Sequence, residues 1–222
     1  MRGRFITFEG GEGTGKSTHA AMLAARLKSF GIAVQLTREP GGSLGAEIMR
    51  YILLSGAARP LGANVEAVLF AAARDDHLTT LIRPALEQGK WVVCDRFADS
   101  TRIYQGVAGT VDPRAIRAME RIIVGDTRPD LTFILDVPAE EAMRRAAARR
   151  GQAGADRFED EALAFHEKLR DGFLTLAANE PDRCVLIDAT LPKEQVAEQI
   201  WRVVVKKLDP ASAPIEFEDA AS

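Results

Sequence analysis

The stretch Phe5–Ser17, FITFEGGEGTGKS, decides the fold. Its first five residues are apolar or strand-forming and predict a short buried strand. The next eight, GGEGTGKS over Gly10–Ser17, satisfy the pattern G-x-x-x-x-G-K-[ST]. A helix predicted over Lys16–Phe30, with an apolar face and a stop at Gly31, follows at once. Strand, glycine-rich loop and helix in this order predict a phosphate-binding loop, because backbone N–H groups and a helix N-terminus converge on one anion.

The rest of the chain repeats the alternation of strand and helix. Four more apolar runs predict buried strands, at Ala33–Thr37, Trp91–Asp95, Leu131–Val137 and Cys184–Asp188. Helices are predicted between and after them, at Val65–Gln88 with Asn64 as N-cap and a kink at Pro84, Asp112/Pro113 to Val124, Ala139–Arg150, Phe158–Ala178 and Pro192–Leu208. The pattern predicts an α/β fold, a P-loop NTPase three-layer sandwich with a five-stranded parallel sheet and a helical lid.

Composition limits the classes of protein open to this chain. The 222 residues carry a net charge of −3, which argues against a nucleic-acid binder with a broad basic surface. The longest apolar run, Ala67–Ala73, is far short of the ~18 residues that cross a bilayer, so we expect no membrane partner. Cys94 and Cys184 lie in apolar strands and predict buried, reduced thiols in a cytoplasmic protein. We expect one domain over residues 1–208 and a flexible acidic tail over 209–222.

Polar residues at the loop and at the end of the third strand predict nucleotide chemistry. Lys16 is expected to reach the β- and γ-phosphates of ATP, and the Ser17 hydroxyl to bind Mg²⁺. Asp95 follows an apolar strand, as a carboxylate near that Mg²⁺ does, and Arg96 offers a planar fork of donors for a phosphate. A structural Asp–Arg pair at a strand end is the alternative. A guanine-specific switch would carry Asn-Lys-x-Asp, which this sequence lacks.

Five motifs together resemble those of the bacterial thymidylate kinase family, which phosphorylates dTMP with ATP. They are Phe8-Glu9-Gly10 entering the loop, Arg38-Glu39-Pro40-Gly41-Gly42, Phe70-Ala71-Ala72-Ala73-Arg74, Asp95-Arg96-Phe97-x-x-Ser100-Thr101-x-x-Tyr104-Gln105-Gly106 and Asp156-Arg157-Phe158-Glu159. The resemblance implies conversion of dTMP to dTDP on the way to dTTP. Another nucleoside monophosphate or deoxynucleoside kinase and a slow P-loop switch remain the alternatives.

The resemblance also implies roles for individual residues. The ATP side comprises Gly10, Gly11, Glu12, Gly13, Thr14, Gly15, Lys16, Ser17 and Thr18. The dTMP side comprises Glu12, Glu39, Phe70, Arg74, Arg96, Ser100, Thr101, Tyr104 and Gln105. Arg96 would grip the dTMP phosphate, Phe70 and Arg74 the thymine ring, Thr101 and Gln105 the base edge, and Tyr104 the deoxyribose. Glu12 would reach the 3′-hydroxyl, and Glu39 would orient Arg96 or the substrate.

Simpler interpretations stand beside these roles. Phe70 suits core packing, Arg74 suits a surface salt bridge, and Thr101–Gln105 suits a solvated loop. The Arg38–Gly42 segment also suits a plain turn between strand and helix. Glu9 would hold a metal-bound water or an arginine, with a purely structural role as the alternative.

The last charge for catalysis is expected from a lid at about residues 144–157. Some family members carry an arginine where this chain has Gly13, so the resemblance implies that a lid arginine supplies that charge. Arg149 is the first choice and Arg150 the second, next to the glycine-containing break Gly151–Ala155. The catalytic set is therefore Lys16, Arg96, Arg149, Arg150 and Glu9, and the metal set is Ser17 and Asp95. The resemblance alone implies a homodimer.

Overall fold

Five parallel strands form one sheet at the centre of the molecule. The computed structural model describes residues 2–150, residue 158 and residues 161–210. The strands are β1 (Phe5–Glu9), β2 (Val34–Arg38), β3 (Trp91–Asp95), β4 (Leu131–Asp136) and β5 (Cys184–Asp188). They lie side by side in the order β2-β3-β1-β4-β5, and every pairing is parallel. The carboxyl ends of β1 and β3 therefore meet in the middle of one sheet edge, where ligands of such sheets bind.

Helices connect the strands. They are α1 (Lys16–Ser29), α2 (Leu44–Leu54), α3 (Ala63–His77), α4 (Arg83–Glu87), α5 (Ala98–Thr101), α6 (Pro113–Ile123), α7 (Ala139–Arg150), α8 (Leu163–Asn179) and α9 (Lys193–Leu208). A 3₁₀ turn covers Arg59–Leu61, and π-helical segments cover Leu78–Ile82 and Arg102–Val107.

Apolar side chains bury both faces of the sheet. On one face, Phe133 and Leu131 pack against Leu27 of α1 and Ile200 of α9. On the other face, α4 covers Val92 of β3, and α8 covers Ile134 of β4. The predicted three-layer sandwich is confirmed. The prediction that all five strands are buried on both faces holds only for the central ones, because β2 and β5 at the edges have one neighbour each and are partly exposed.

The helix predicted over Val65–Gln88 is interrupted. It begins at Ala63 instead of after Asn64, ends at His77, passes through the π-helical segment and resumes as α4. Pro84 has no N–H to donate to the carbonyl one turn before it, which accounts for the widened turn. The predicted helix Phe158–Ala178 begins later, at Leu163. Asp112 caps α6 as predicted, since its side chain accepts from the Arg114 amide.

Helix α2 was not predicted. Leu44, Ile48 and Tyr51 face outward and are exposed, so the segment lacks the polar outer stripe that marks a surface helix. Both cysteines are free and buried, as predicted. Among the described residues, no helix has the length and apolar character needed to cross a membrane. The predicted break at Gly151–Ala155 and residues 211–222 of the predicted tail lie outside the described residues.

Candidate active site

The glycine-rich loop joins β1 to α1 as the motif predicts. Lys16 is the first residue of α1, and its Nζ donates to the Gly11 carbonyl at 2.6 Å. The Thr14 hydroxyl donates to the same carbonyl at 3.0 Å. Burial and repulsion from Arg96 lower the pKa of Lys16 to about 8, which leaves the ammonium mostly charged at neutral pH.

Gly13 marks the closest approach between this loop and α7. Its φ is +73°, and a Cβ added there would lie 2.0 Å from the carbonyl oxygen of Ala142. Only glycine fits this approach, so a larger residue would displace the helix that carries Arg149. This contact gives a physical reason for the absence of an arginine at position 13.

A cavity of about 400 Å³ opens at the carboxyl edge of the sheet beside the loop. It brings together most residues predicted from the sequence for ATP, dTMP and metal, namely Glu12, Gly13, Gly15, Lys16, Ser17, Thr18, Glu39, Phe70, Arg74, Asp95, Arg96, Ser100, Thr101, Tyr104, Gln105 and Arg149. Glu9, Gly10, Gly11 and Thr14 are not among its lining residues, and the last three line a smaller cavity of about 20 Å³. Residues predicted to bind ATP and residues predicted to bind dTMP thus line the same cavity.

Arg96 connects the two groups. Its Nη1 donates to the Gly10 carbonyl at 3.0 Å and to the Ser100 hydroxyl at 3.1 Å. Its Nη2 donates to Glu12 Oε1 at 2.5 Å and to the Tyr104 hydroxyl at 3.0 Å. The backbone of Arg96 has φ +69°, a left-handed conformation that is costly for a side chain with a Cβ. This backbone conformation turns the guanidinium toward the end of β1, where it contacts the Gly10 carbonyl.

Glu12 is the carboxylate partner of Arg96. Burial alone would raise the pKa of Glu12, but Arg96, Lys16 and the hydrogen bond from Tyr104 overcome it and lower that pKa to about 2. The carboxylate therefore stays charged at every physiological pH. Its negative charge offsets the repulsion between the buried cations Lys16 and Arg96 beside the phosphate-binding loop.

Glu9 is fully buried and does not line the cavity. It accepts from the Phe97 amide at 2.7 Å and from the Ser100 hydroxyl at 2.6 Å, so it anchors the start of α5. The sequence-based role of holding a metal-bound water is not what this geometry offers. Glu9 instead positions Ser100, which in turn contacts Arg96. Burial, reinforced by Asp99, raises the pKa of Glu9 to about 7.

Arg74 lies buried at the opposite end of the cavity. Its Nε donates to Glu39 Oε2 at 2.7 Å, and its Nη2 donates to Thr101 Oγ1 at 3.0 Å. Glu39 also meets His77 Nδ1 at 3.1 Å. Glu39 therefore orients Arg74, and the expectation that it orients Arg96 is wrong. The surface salt bridge considered for Arg74 is wrong too, because this pair is buried.

Aromatic rings form the apolar wall of the acceptor end. Phe70, Tyr104 and Phe158 line the cavity, and the rings of Tyr104 and Phe158 meet edge to face at 5.5 Å. Thr101 and Gln105 lie on α5 and the π-helical segment after it, both buried, so the solvated-loop interpretation is wrong. A widened helical turn brings both polar side chains to the same cavity.

The metal expected at Ser17 and Asp95 is consistent with the residues present. The Ser17 hydroxyl donates to Asp95 Oδ2, so the two predicted ligands are in contact. Asp95 Oδ1 is buried and has no hydrogen-bond partner in the part of the chain that the structure describes, which leaves room for a cation or a donor. A hydroxyl and a carboxylate are oxygen ligands of the kind that Mg²⁺ prefers.

Arg149 reaches the cavity from the last turn of α7. It lines the cavity, and its charge helps lower the pKa of Glu12. Arg150 ends the same helix, and its side chain lies outside the described part of the chain. The structure thus places Arg149 at the site, and Arg150 stays a prediction.

The chain matches the family model described as thymidylate kinase over residues 8–200. A thymidylate kinase of Nitrobacter winogradskyi is 60% identical, with 90% of this chain and 87% of that protein covered. One of Bradyrhizobium sp. strain ORS 278 is 59% identical over 96% and 94%. The crystal structure of thymidylate kinase from Ehrlichia chaffeensis superposes with a TM-score of 0.72 at 34% identity, over 92% of this chain and 99% of that one.

The chain belongs to the thymidylate kinase family.

Family membership removes the nucleotide switch as an interpretation, and the structure adds residues that sequence reasoning missed. Arg50 and Leu54 line the cavity, as do Arg38, Pro40 and Phe97, which belong to the quoted motifs but had no role assigned. Arg50 and Leu54 lie on the unpredicted helix α2, so no periodic signal led to them. His77 lacks the spacing of a metal ligand in the sequence. Its contact with Glu39 joins the end of α3 to the residue after β2, and no local sequence pattern indicates that contact.

Glu9 predicts a pH dependence of stability. Its pKa is about 7 in the fold against 4.5 unfolded, so protonation stabilises the fold fully below about pH 4.5 and this contribution is lost as the pH rises through 7. Glu9→Gln keeps a neutral side chain at every pH. The free energy of unfolding of the variant minus that of the wild type should rise between pH 5 and 8, by roughly 3 kcal/mol at most. Urea unfolding at four pH values measures it, and a difference that is flat with pH contradicts the assignment.

Proposed function

We propose that this thymidylate kinase family member transfers the γ-phosphoryl group of ATP to the phosphate of dTMP, giving dTDP and ADP. The observation that supports this most directly is the single cavity in which Arg96 contacts both the phosphate loop and the acceptor residues. A kinase whose acceptor is itself a phosphate must hold two polyanions within reach of each other. The cations of this cavity are distributed for that task.

The donor half is the loop Gly10–Ser17 together with Thr18. Loop N–H groups and the N-terminus of α1 attract the triphosphate, and Lys16 supplies the mobile charge for its terminal groups. Binding of a polyanion favours the charged form of Lys16 and so raises its pKa from about 8. Lys16 would then give up the Gly11 carbonyl for a phosphate oxygen.

Mg²⁺ would be held by Ser17 and Asp95. Bound there with ATP, it neutralises phosphate charge and polarises the group being transferred. Asp95 supplies the negative charge that retains it. The unpartnered Asp95 Oδ1 is the atom on this chain that supports the proposal.

The acceptor half runs from Arg96 to Arg74. Arg96 presents a fork of donors to the dTMP phosphate, and Ser100 supports that fork. Phe70 offers an aromatic face to the thymine ring, while Arg74, Thr101 and Gln105 offer polar atoms to its edge. Tyr104 fills the space beside the sugar and disfavours a 2′-hydroxyl. Glu12 faces the sugar side of the same cavity, and the negative charge suits contact with the 3′-hydroxyl.

The chemistry requires positioning and charge more than a base. The dTMP phosphate is mostly dianionic at neutral pH, since its second pKa is about 6, so its oxygen is already a nucleophile. At an effective dielectric of 20, two unit charges 4 Å apart repel by about 4 kcal/mol. Lys16, Arg96 and Arg149 offset several such repulsions. The attacking oxygen of dTMP forms its bond to the γ-phosphorus as the bond to the ADP oxygen breaks, so the phosphoryl group stays on dTMP as dTDP and ADP departs as the leaving group.

The buried free thiols Cys94 and Cys184 suit a reducing compartment. We therefore place this activity in the cytoplasm.

Substrate choice tests the proposed reaction directly. Purified enzyme with ATP and Mg²⁺ should phosphorylate dTMP faster than dUMP, dCMP, dGMP or dAMP, with kcat/KM for dTMP about tenfold or more above dUMP. Chromatographic measurement of the diphosphate formed gives these rates. Lys16→Ala serves as the inactive but folded control. Equal rates for all five nucleotides, or preference for a purine, contradict the acceptor assignment.

Arg149 predicts a loss in kcat. Its charge contacts the equatorial oxygens most strongly in the transition state, so Arg149→Ala should lower kcat by about 100-fold with little change in KM for ATP. Arg144 is the matched control, because it lies on the same helix with a side chain that is 76% exposed. Steady-state kinetics of both alanine variants decide the point. A change confined to KM assigns Arg149 to ATP binding alone, and an equal loss in both variants contradicts a specific role.

We propose that the enzyme is a homodimer joined through α2 and α3. Leu44, Ile48 and Tyr51 lie on one face of α2, and Val65 and Val68 on α3, all exposed. The two helices pack against each other, and we propose that these exposed residues together form the apolar interface. Such a surface is self-complementary across a two-fold axis, and the partner is a second copy of this chain.

The interface predicts the effect of a buried charge. The wild type should sediment at twice its 24.1 kDa mass at micromolar concentration, while Ile48→Glu should sediment as a monomer. Val205→Glu on α9, with 45% of the residue exposed, is the control and should remain a dimer. Sedimentation equilibrium distinguishes these states. A monomeric wild type, or an Ile48→Glu dimer, argues against this surface.

A further inference from the structure

A second cavity, of about 290 Å³, lies outside the candidate active site. Helix α5 contributes to both cavities: Ala98 and Asp99 line the second one, whereas Ser100 and Thr101 line the active site. We call the second one the arginine cavity, because five arginines line it against three carboxylates, which leaves two surplus positive charges. This surplus is unusual in a chain whose net charge is −3.

The inner part of the arginine cavity is fully paired. Arg183 binds Asp99 at 2.7 Å and Glu180 at 2.7 Å, and Arg102 binds Asp99 at 3.0 Å and Glu180 at 2.8 Å. Asp99 is buried, so these pairs hold α5 against the turn before β5. They leave no carboxylate of the inner part free to neutralise further arginines.

The outer part of the arginine cavity carries the surplus. Arg117 and Arg121 are four residues apart on α6 and so lie on one face, and Arg128 joins them from the segment before β4. All three are exposed, and none makes an ion pair within the ranges that the structure describes. Three guanidinium groups that line one cavity suit a phosphate-bearing anion, since each offers a planar fork of donors.

We propose that the arginine cavity binds a small polyphosphate anion and that this binding weakens the hold on dTMP. The anion is placed between Arg121 and Arg128 and draws on Arg102 from the inner part. Arg102 Nη1 donates to both Asp99 and Glu180, so an anion that turns this guanidinium toward itself weakens the contact with Asp99. Asp99 lies directly beside Ser100 and Thr101 in α5. The weaker contact at Asp99 therefore reduces the support of Ser100 and Thr101, the acceptor residues on α5.

The first test is binding, and it does not rest on the proposed reaction. Tripolyphosphate is titrated by calorimetry at low salt into enzyme that already holds saturating ADP and dTMP, so that the active site is filled. The wild type should bind one equivalent with a Kd below about 1 mM, a value expected for a few charge-assisted contacts. Arg121→Gln/Arg128→Gln should bind at least tenfold more weakly. Lys28→Gln/Lys206→Gln, the control with the same loss of charge at exposed sites, should bind as the wild type does.

No binding by the wild type, or equal binding by the arginine variant, overturns the site.

The second test is kinetic, at saturating ATP. Tripolyphosphate should raise KM for dTMP at least twofold in the wild type and leave it unchanged in Arg121→Gln/Arg128→Gln, whose activity without tripolyphosphate should equal that of the wild type. An equal rise in both enzymes assigns the effect to the active site and overturns the coupling through α5.

Discussion

The contact between Arg96 and Glu12 is the interaction on which the site depends. Arg96 follows β3 and Glu12 follows β1, and the two strands are adjacent, so the ion pair spans the centre of the sheet edge. Burial disfavours both charged forms. The carboxylate raises the pKa of Arg96 and the guanidinium lowers that of Glu12, so each keeps the other charged. A loop built to attract phosphate thereby carries a negative charge without losing its cation.

The strained backbone of Arg96 is the cost of this arrangement. Glu9 offsets it from below, because its carboxyl accepts from Phe97 and Ser100 and fixes the turn that follows Arg96. Glu39 does the same for Arg74 at the far end of the cavity. In both places a buried acid fixes an arginine or the segment that follows it. Pre-organised cations of this kind need little rearrangement when two polyanions arrive.

The sequence predicted the frame of the molecule well where local patterns decide it. Strand β1, the loop and α1 form one continuous signal, and the parallel sheet follows from strands separated by helices. Side-chain contacts between residues far apart in the sequence could not be predicted from it. Nothing near Glu39 indicates that its partner is Arg74 instead of Arg96, because that depends on where the fold places α3 relative to the end of β2. The interrupted helix around Leu78–Ile82 and the exposed apolar face of α2 also depend on tertiary context, which overrides periodicity.

Ion pairs outside the active site also support residues that line it. Helix α5 is short, yet one side of it contacts the acceptor residues and the other side is held by Arg102 and Arg183. Positions in the active site are therefore linked to ion pairs that lie outside it.

A double-mutant cycle on Arg96 and Glu12 tests the central claim most directly. Arg96→Lys, Glu12→Gln and the double variant are compared by kcat/KM for dTMP at saturating ATP. If the two side chains act as one unit, each single change lowers kcat/KM strongly and the double variant is no worse than the weaker single variant, with a coupling above about 1 kcal/mol. If the two losses simply multiply, the side chains act independently and the account is contradicted.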